Sequence, residues 1–498
     1  MMAHNMPRLV IAAPHSHAGK TTVTLALLAA LTQRGLRVAP FKVGPDYIDP
    51  QMHRQAAGRP SYNLDTYLVP AARVRDTFCR VAQDADIAII EGVMGLFDGS
   101  SPTSRVGSTA EVAILLQAPI VLVIDASGMA ASVGALIRGF RTYDPDVRVA
   151  GVILNRLGSA GHARYLEPAI AREGVEILGY LPKDAELTIP ERHLGLLPTS
   201  EDDRVTPLLG HLTTLAQRHL DLERLIQLAH TAPVLTPPAP ALTPAPHHAI
   251  RVAWAQDAAF HFSYQENLDA LAAAGADIVL FSPLRDPVLP PDIDAVWLGG
   301  GFPENFGAQL AANTEMIAAL RGHAAQGLPM YAECGGLMYL CEWLEDQHGQ
   351  RYPQVGLIPG GTRMTKRLQQ FGYAEATFLQ DTLLGPASTT VRGHRFHYSV
   401  YEPGSTPPPC AYRITRATTG ETHCEGFWRD NVLATYLHVH LGSQPHMAHH
   451  LSTSAGVSVR HEASEVETMP KVAAFAWCTA LDHTQGRASL QSGPASGV

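Results

Sequence analysis

Ala13–Thr22 reads APHSHAGKTT. A short apolar run, Leu9–Ala12, precedes it, and a helical run, Val23–Leu31, follows. Strand, tight loop and helix form the setting that a phosphate-binding loop requires. Gly19 lets backbone N–H groups approach an anion closely, Lys20 reaches the β- and γ-phosphates, and the Thr21 hydroxyl suits Mg²⁺. Gly19, Lys20, Thr21 and Thr22 are therefore the expected ATP-binding residues of this loop. The first glycine of G-x-x-x-x-G-K-[ST] is replaced by Pro14, and the His17-Ala18 pair is a further departure. The bland alternative is a strand-to-helix turn with a surface lysine. Gly-Lys-Thr-Thr at the very start of a helix, directly after an N-terminal strand, argues against it.

The rest of the chain bounds what such a loop serves. At 498 residues it has room for two to four domains, each able to bury a core. A hydrophobic content of 46% with 17% charged residues belongs to a globular protein. The net charge of −9, without a long basic run, speaks against nucleic acid and against a membrane surface as partners. No apolar run reaches bilayer length, and no charged-apolar-cleavage pattern opens the chain, so the expected compartment is the cytoplasm. Six scattered cysteines form no disulfide framework and contain no C-x-x-C pair.

Further strands line up after the loop. Val38–Val43 runs into Phe41–Pro50, FKVGPDYIDP. At the carboxyl end of a strand in a doubly wound sheet, Lys42, Asp46 and Asp49 would face the same crevice as the phosphate loop, with Gly44-Pro45 fixing the turn. A solvated polar turn is the alternative. Asp86–Glu91 is almost wholly apolar and ends in an acid beside a glycine-rich loop, which makes Glu91 a second Mg²⁺ ligand. Asp98 either joins it or shapes the turn before Gly99. Pro119–Asp125 and Arg148–Asn155 are two more buried strands; by analogy with ATPases of this architecture, Asn155 reads adenine. Glu176–Leu181 follows, and then Pro182–Gly195, a substrate loop or simply a surface loop. Buried strands alternating with helices predict a parallel α/β sheet covered on both faces.

Thr231–Pro246 holds six prolines and reads as a semi-rigid spacer. The expected division is therefore 1–230, a linker over 231–249, a second α/β domain over 250–445, and a tail over 446–498. In the second domain, Ala295–Gly301 ends in three glycines that can offer N–H groups to an oxyanion. Leu328–Ala332 runs into Glu333-Cys334-Gly335-Gly336, a nucleophile elbow with Cys334 on a sharp strand-to-helix turn. Gly335, with Gly300 or Gly301, would supply the oxyanion hole. Thr435–Leu441 (TYLHVHL) provides His438 as the base. In many Cys-His-Glu amidotransferases an acid lies two residues after the histidine. Here that position is His440, so the third member is absent or supplied elsewhere, and a His-x-His metal site is the weaker alternative. His394 and His397 either border a substrate channel or are surface histidines, and His446, His449 and His450 read as surface.

Taken together, FKVGPDYIDP, EGVMGLFDG, PERHLGL, Phe262–Ala276, LGGGFPE, AECGGLMYL and GHRFHYS resemble the cobyrinic acid a,c-diamide synthase family, in order from about residue 8 to about residue 442. The resemblance implies a P-loop domain similar to dethiobiotin synthetase and a class I-type glutaminase of the Cys-His kind, a family whose glutaminases lack the usual glutamate. It also implies ATP with Mg²⁺ at Lys20, Thr21, Asp46 and Glu91, with Lys42 and Asn155 also on the ATP. A corrinoid would sit at Asp46, Tyr47 and Asp49, and glutamine at Cys334. Two sites joined by an ammonia channel follow from the same resemblance. Hydrogenobyrinic acid or a nickel-sirohydrochlorin are alternative substrates, and a ParA/MinD-like ATPase with an inactive amidotransferase domain is an alternative of another class. A homodimer is the expectation for a sheet-built domain of this type, and the Ser/Gly/Ala-rich end of the tail is expected to be disordered.

Overall fold

The computed structural model describes residues 5–184, 205–238, 250–444 and 446–458. Pro190–Leu196, most of the charged loop around it, part of the proline-rich stretch and the end of the tail lie outside these residues. In the N-terminal half, seven strands alternate with helices: β1 (Arg8–Ala12), β2 (Val38–Val43), β3 (Tyr62–Leu64), β4 (Ile87–Glu91), β5 (Ile120–Asp125), β6 (Val149–Leu157) and β7 (Glu176–Pro182). They form one parallel sheet in the order β3-β2-β4-β1-β5-β6-β7.

Period-two alternation explains why these strands are apolar throughout. In β1, Val10 and Ala12 enter one core, while Leu9 and Ile11 enter the core on the opposite face. Helix Lys20–Gln33 is likewise buried along most of its length, so it shows almost no amphipathic pattern. The order places the carboxyl ends of β2, β4 and β1 side by side, and there the chain changes direction across the sheet, as a ligand crevice requires. The chain stays on this half into the proline-rich stretch. Leu235 is buried in its core, and Pro233 O and Thr236 O accept from Arg8 and Arg75.

The C-terminal half carries β8 (Ile250–Ala255), β9 (Ala276–Phe281), β10 (Ala295–Leu298), β11 (Met330–Glu333), β12 (Cys341–Glu345), β13 (Arg351–Pro353), β14 (Ile358–Met364), β15 (Gln370–Phe378), β16 (Thr390–His397), β17 (Ser399–Pro403), β18 (Cys410–Arg416), β19 (Thr422–Arg429), β20 (Val432–Thr435) and β21 (His438–Val439). A parallel core, β9-β8-β10-β11-β20, continues into the antiparallel strands β19-β18-β15-β16-β21. Strands β12, β13, β14 and β17 make a separate small sheet. These antiparallel additions are the part that an alternating strand-helix reading leaves out.

Thr435–Leu441 is not one continuous strand. β20 ends at Thr435 and β21 is only His438–Val439, so His440 does not share a strand face with His438. Helix Met447–Ser458 follows, with Met447, Ala448 and Leu451 in the core of this half. Both halves fall within one compact unit, Met1–Val459. No helix among the described residues is long and apolar enough to cross a membrane.

Candidate functional site

The first centre lies at the carboxyl ends of β1, β2 and β4. Gly19 has φ +99°, and a Cβ there would stand 1.9 Å from Asn155 Nδ2. Only glycine fits, because the left-handed backbone and the close approach both exclude a side chain. Asn155 Nδ2 donates to Ala18 O at 2.9 Å, so the structure places this residue as a brace of the loop. Lys20 opens the helix, and its ammonium donates to Met94 O at 2.5 Å. Burial first, then the neighbouring Lys42, lowers its pKa to about 8. Thr21 and Thr22 are half-buried in the first turn.

Glu91, wholly buried at the end of β4, organises this centre. One carboxylate oxygen accepts from Thr21 Oγ1 at 2.7 Å and from Lys42 Nζ at 2.8 Å. The other pairs with His53 Nε2 at 2.7 Å, and His53 Nδ1 rests on Ser61 Oγ. Burial alone would raise the Glu91 pKa; Lys42 and His53 outweigh it and hold the group ionised. Lys42 also pairs with Asp49, and Asp46 Oδ2 lies 3.7 Å from its ammonium. Asp46 Oδ1 accepts from the Ile48 and Asp49 amides, which fixes the turn. Three carboxylates thus gather around one buried ammonium. Asp98 Oδ2 accepts from Gly95 N, the turn-shaping role.

The second centre lies at the end of β11. Cys334 has φ +50° and ψ −102°, a left-handed conformation that a non-glycine residue adopts only when its surroundings enforce it. This is the strained turn of a nucleophile elbow. Helix Gly335–Leu340 begins immediately after it. The turn closes because a Cβ on Gly336 would lie 2.3 Å from Leu298 O, and one on Gly335 would lie 2.9 Å from Gly301 N. The Gly301 and Gly335 backbones therefore meet beside the thiol. Gly300 packs on the His438 imidazole, where a Cβ would come within 2.3 Å of Cε1. Its carbonyl accepts from His261 N and Phe262 N. The Cys334 thiol also faces Phe396 O at 3.9 Å.

His438 is completely buried. Burial would lower its pKa, but the negative charge of a Cys334 thiolate and the Glu333 carboxylate outweigh burial and push it up to about 10. That favours the imidazolium form of His438. Glu333 Oε1 lies 3.7 Å from His438 Nδ1. Its other oxygen accepts from Tyr331 Oη at 3.1 Å and from Val439 N at 3.2 Å, which aims Oε1 at the imidazole. The acid absent from the position two residues after the histidine is thus present one residue before the cysteine. His440 accepts from Gly442 N and is held neutral by burial, its pKa down to about 4. His394 and His397 are buried rather than on the surface, at pKa values of about 3 and about 4 for the same reason.

Residues from both halves meet between the centres. The Tyr47 ring, expected on the corrinoid, lies 4.6 Å from the His438 ring and 5.4 Å from Phe262. Its hydroxyl is 2.8 Å from Tyr264 Oη. Gln51 Nε2 donates to His261 O at 2.7 Å, and Asn63 N donates to Glu266 Oε1 at 2.6 Å. The Asn63 amide also donates to Gly44 O and Asp46 O. The turn that carries Asp46 and Asp49 is therefore wedged against the glutaminase-like half. Glu333, His53 and Asn63 were not singled out from the sequence. Glu333 carried a readable signal, an acid at the end of a buried strand next to the nucleophile.

Known proteins fit this arrangement. Residues 9–197 match the CobQ/CobB/MinD/ParA nucleotide binding domain, and residues 251–446 match the CobB/CobQ-like glutamine amidotransferase domain. Cobyrinate a,c-diamide synthase of Syntrophotalea carbinolica is 44% identical over 442 residues, 88% of this chain and 96% of that protein. Its namesake from Listeria monocytogenes is 44% identical over 451 residues, 90% of this chain and 99% of the relative. The Dehalococcoides mccartyi protein of the same name is 43% identical over 451 residues. At that identity over nearly the whole of each relative, the chain belongs to the cobyrinate a,c-diamide synthase family.

Proposed function

We propose that this chain amidates the a and c side-chain carboxylates of cobyrinic acid, using ATP and ammonia taken from glutamine, in cobalamin biosynthesis. The observation that carries the reading is a nucleophile elbow at Cys334 and a loop ending in Gly19-Lys20-Thr21 at a helix start, in one compact unit whose relatives bear that name. Cys334 Sγ attacks the side-chain amide carbon of glutamine. The amides of Gly335 and Gly301 receive the developing oxyanion, with Gly300 shaping the wall against His438. His438 gives its proton to the leaving nitrogen, and ammonia departs. Water, deprotonated by the same imidazole, then cleaves the thioester and releases glutamate. Glu333 holds the imidazole with Nδ1 protonated throughout.

In the N-terminal half, Gly19, Lys20, Thr21 and Thr22 take the ATP phosphates, and Asn155 keeps the loop in shape beside the base. A corrinoid carboxylate attacks the γ-phosphate, and ammonia displaces phosphate from the acyl phosphate. The cluster Thr21, Asp46, Asp49 and Glu91 gathers only hard oxygen donors beside the phosphate loop, which supports Mg²⁺ there. Mg²⁺ bound there would offset charge on the phosphates. Because bulk water protonates ammonia at neutral pH, ammonia travels between the centres through the protein, past Tyr47. A homodimer in the cytoplasm completes the reading.

The test is a Cys334→Ala variant assayed with cobyrinic acid. The reading requires that glutamine no longer supports amidation while ammonium chloride at high pH still does. Continued use of glutamine would refute it.

A further inference from the structure

The paired strands β15 and β16 turn one face toward the N-terminal half. Directly opposed pairs make three rungs along that face: Glu375 with Arg392, Tyr373 with His394, and Phe371 with Phe396. The middle rung is covered, and the first is only partly so, with the Arg392 and Glu375 side chains 45% and 37% exposed. The Arg392 guanidinium lies 5.1 Å over the Tyr67 ring. Tyr373 stacks on Tyr67 at 4.3 Å and donates to Asp65. His394 approaches Tyr47 at 6.5 Å.

The third rung is not covered. Phe371 meets His394 edge-on at 5.5 Å and Phe396 at 6.0 Å, yet it is 57% exposed. Tyr398, 38% exposed, extends the row at 5.9 Å from Phe396. Leu368, 40% exposed, lies in the turn that precedes β15. Thr365 ties that turn down by donating to Tyr398 O at 2.6 Å, and Gln369 donates to Thr365. The same turn exposes Lys366 and Arg367 to solvent.

An apolar, aromatic ledge left open beside the packed Tyr373–His394 rung is the kind of surface that takes a ligand. The ledge is continuous, through His394 and Tyr47, with the turn that carries Asp46 and Asp49. Phe396 also offers its carbonyl to the Cys334 thiol. The ligand that fits has a broad apolar face and an acidic rim, since two cations flank the aromatics on a chain of net charge −9.

We propose that Phe371, Phe396, Tyr398 and Leu368 seat the face of the corrin macrocycle, with Lys366 and Arg367 meeting carboxylates on its rim. Seated there, the macrocycle directs another edge of its rim toward the Asp46–Asp49 turn. The assignment rests on the corrinoid reading above and adds the residues that hold the ring.

The test uses the full-length protein, with cobyrinic acid as the varied substrate, in Phe371→Ala, Phe371→Trp and a Lys366→Glu/Arg367→Glu double variant. All three positions are exposed, so matching thermal midpoints are expected and will show intact folding. In Phe371→Ala the KM for cobyrinic acid should rise about tenfold, the loss expected for one buried aromatic contact. Phe371→Trp should stay near wild type. In the double variant the rise should grow as salt is lowered. The KM values for ATP and glutamine should not move in any variant. An unchanged KM for cobyrinic acid in both Phe371→Ala and the double variant, with the wild type active, overturns the seat and leaves the function standing. A wild type that amidates no corrinoid overturns the function and the seat together. If Phe371→Ala leaves this KM alone but abolishes self-association in sedimentation, the ledge is a surface for a second copy and the inference falls.

Discussion

Replacing Glu333 by glutamine changes one charge at the glutaminase-like centre and almost no volume. Oε1 lies 3.7 Å from His438 Nδ1, and both side chains are buried. At an effective dielectric of about 20, unit charges at that separation interact by about 4 kcal/mol. The amide would not merely lose that attraction. Val439 N donates to the Oε2 side at 3.2 Å and needs an acceptor, so the amide oxygen stays there. The amide NH₂ then faces His438 Nδ1 and enforces the tautomer with Nε2 protonated, which cannot accept a proton at that atom. With part of the Coulomb energy recovered by relaxation, we expect glutaminase kcat/KM to fall roughly 10²-fold, about 2.7 kcal/mol. The pKa of about 10 at His438 should fall as well. A Glu333→Asp variant should recover part of the rate. The assay is glutamate release followed across pH 6 to 10 in glutamine, run beside amidation driven by ammonium chloride, which should survive because it does not use Cys334. A glutaminase rate within twofold of wild type, with an unmoved pH profile, would refute the orienting role.

Other perturbations follow from the same geometry. In Gly19→Ala, the φ of +99° and a Cβ 1.9 Å from Asn155 Nδ2 should weaken nucleotide binding at least about tenfold while basal glutaminase activity persists; calorimetric titration with ATP checks it. Tyr47→Ala removes the ring 4.6 Å from His438, so glutamate release should exceed amide formation, whereas Tyr47→Phe, which loses only the bond to Tyr264, should stay near one glutamate per amide. His394, His397 and His440 are held neutral by burial, with pKa values of about 3, 4 and 4 against an ordinary 6.5. The unfolded chain takes up these protons near pH 6.5 and the folded chain does not. Their contribution to stability is therefore complete above that pH and declines as pH falls, by up to about 1.4 kcal/mol per unit for each histidine. His438 and the buried Glu266, whose pKa values are raised to about 10 and about 8, act in the opposite sense, so the readout is a difference: between pH 6.5 and 5.5 the thermal midpoint of the wild type should fall relative to that of His440→Gln, and a difference that holds or reverses on acidification would contradict this.

The N-terminal architecture was legible because its strands are buried on both faces and read as unbroken apolar runs; Val38–Val43 comes out with the bounds expected. The turns that carry Gly19, Glu91 and Cys334 were legible because each sits at a strand end, where local sequence fixes both the turn and the side chain's direction. Of the antiparallel strands β15 to β19 only β16 was read, as a strand over Arg392–Ser399, since the half-exposed alternation of the others gives no strong signal beside their Gly and Pro content. The partners supplied by tertiary register were also missed. His53 reaches Glu91 across 38 positions of sequence. Glu333 reaches His438 only because β11 lies beside β20, whose chain turns back after Thr435. Tyr47 stands in a motif that reads as a substrate turn, and only the packing of the two halves shows it against the imidazole.

The most direct measurement offers the purified full-length chain cobyrinic acid, ATP, Mg²⁺ and glutamine labelled with ¹⁵N at its side-chain amide, and follows the corrinoid by mass. The account predicts two successive exchanges of a carboxylate hydroxyl for an amino group, both nitrogens carrying the label, with one ADP and one glutamate formed for each. ATP and glutamine consumed without any label entering the corrinoid would contradict it.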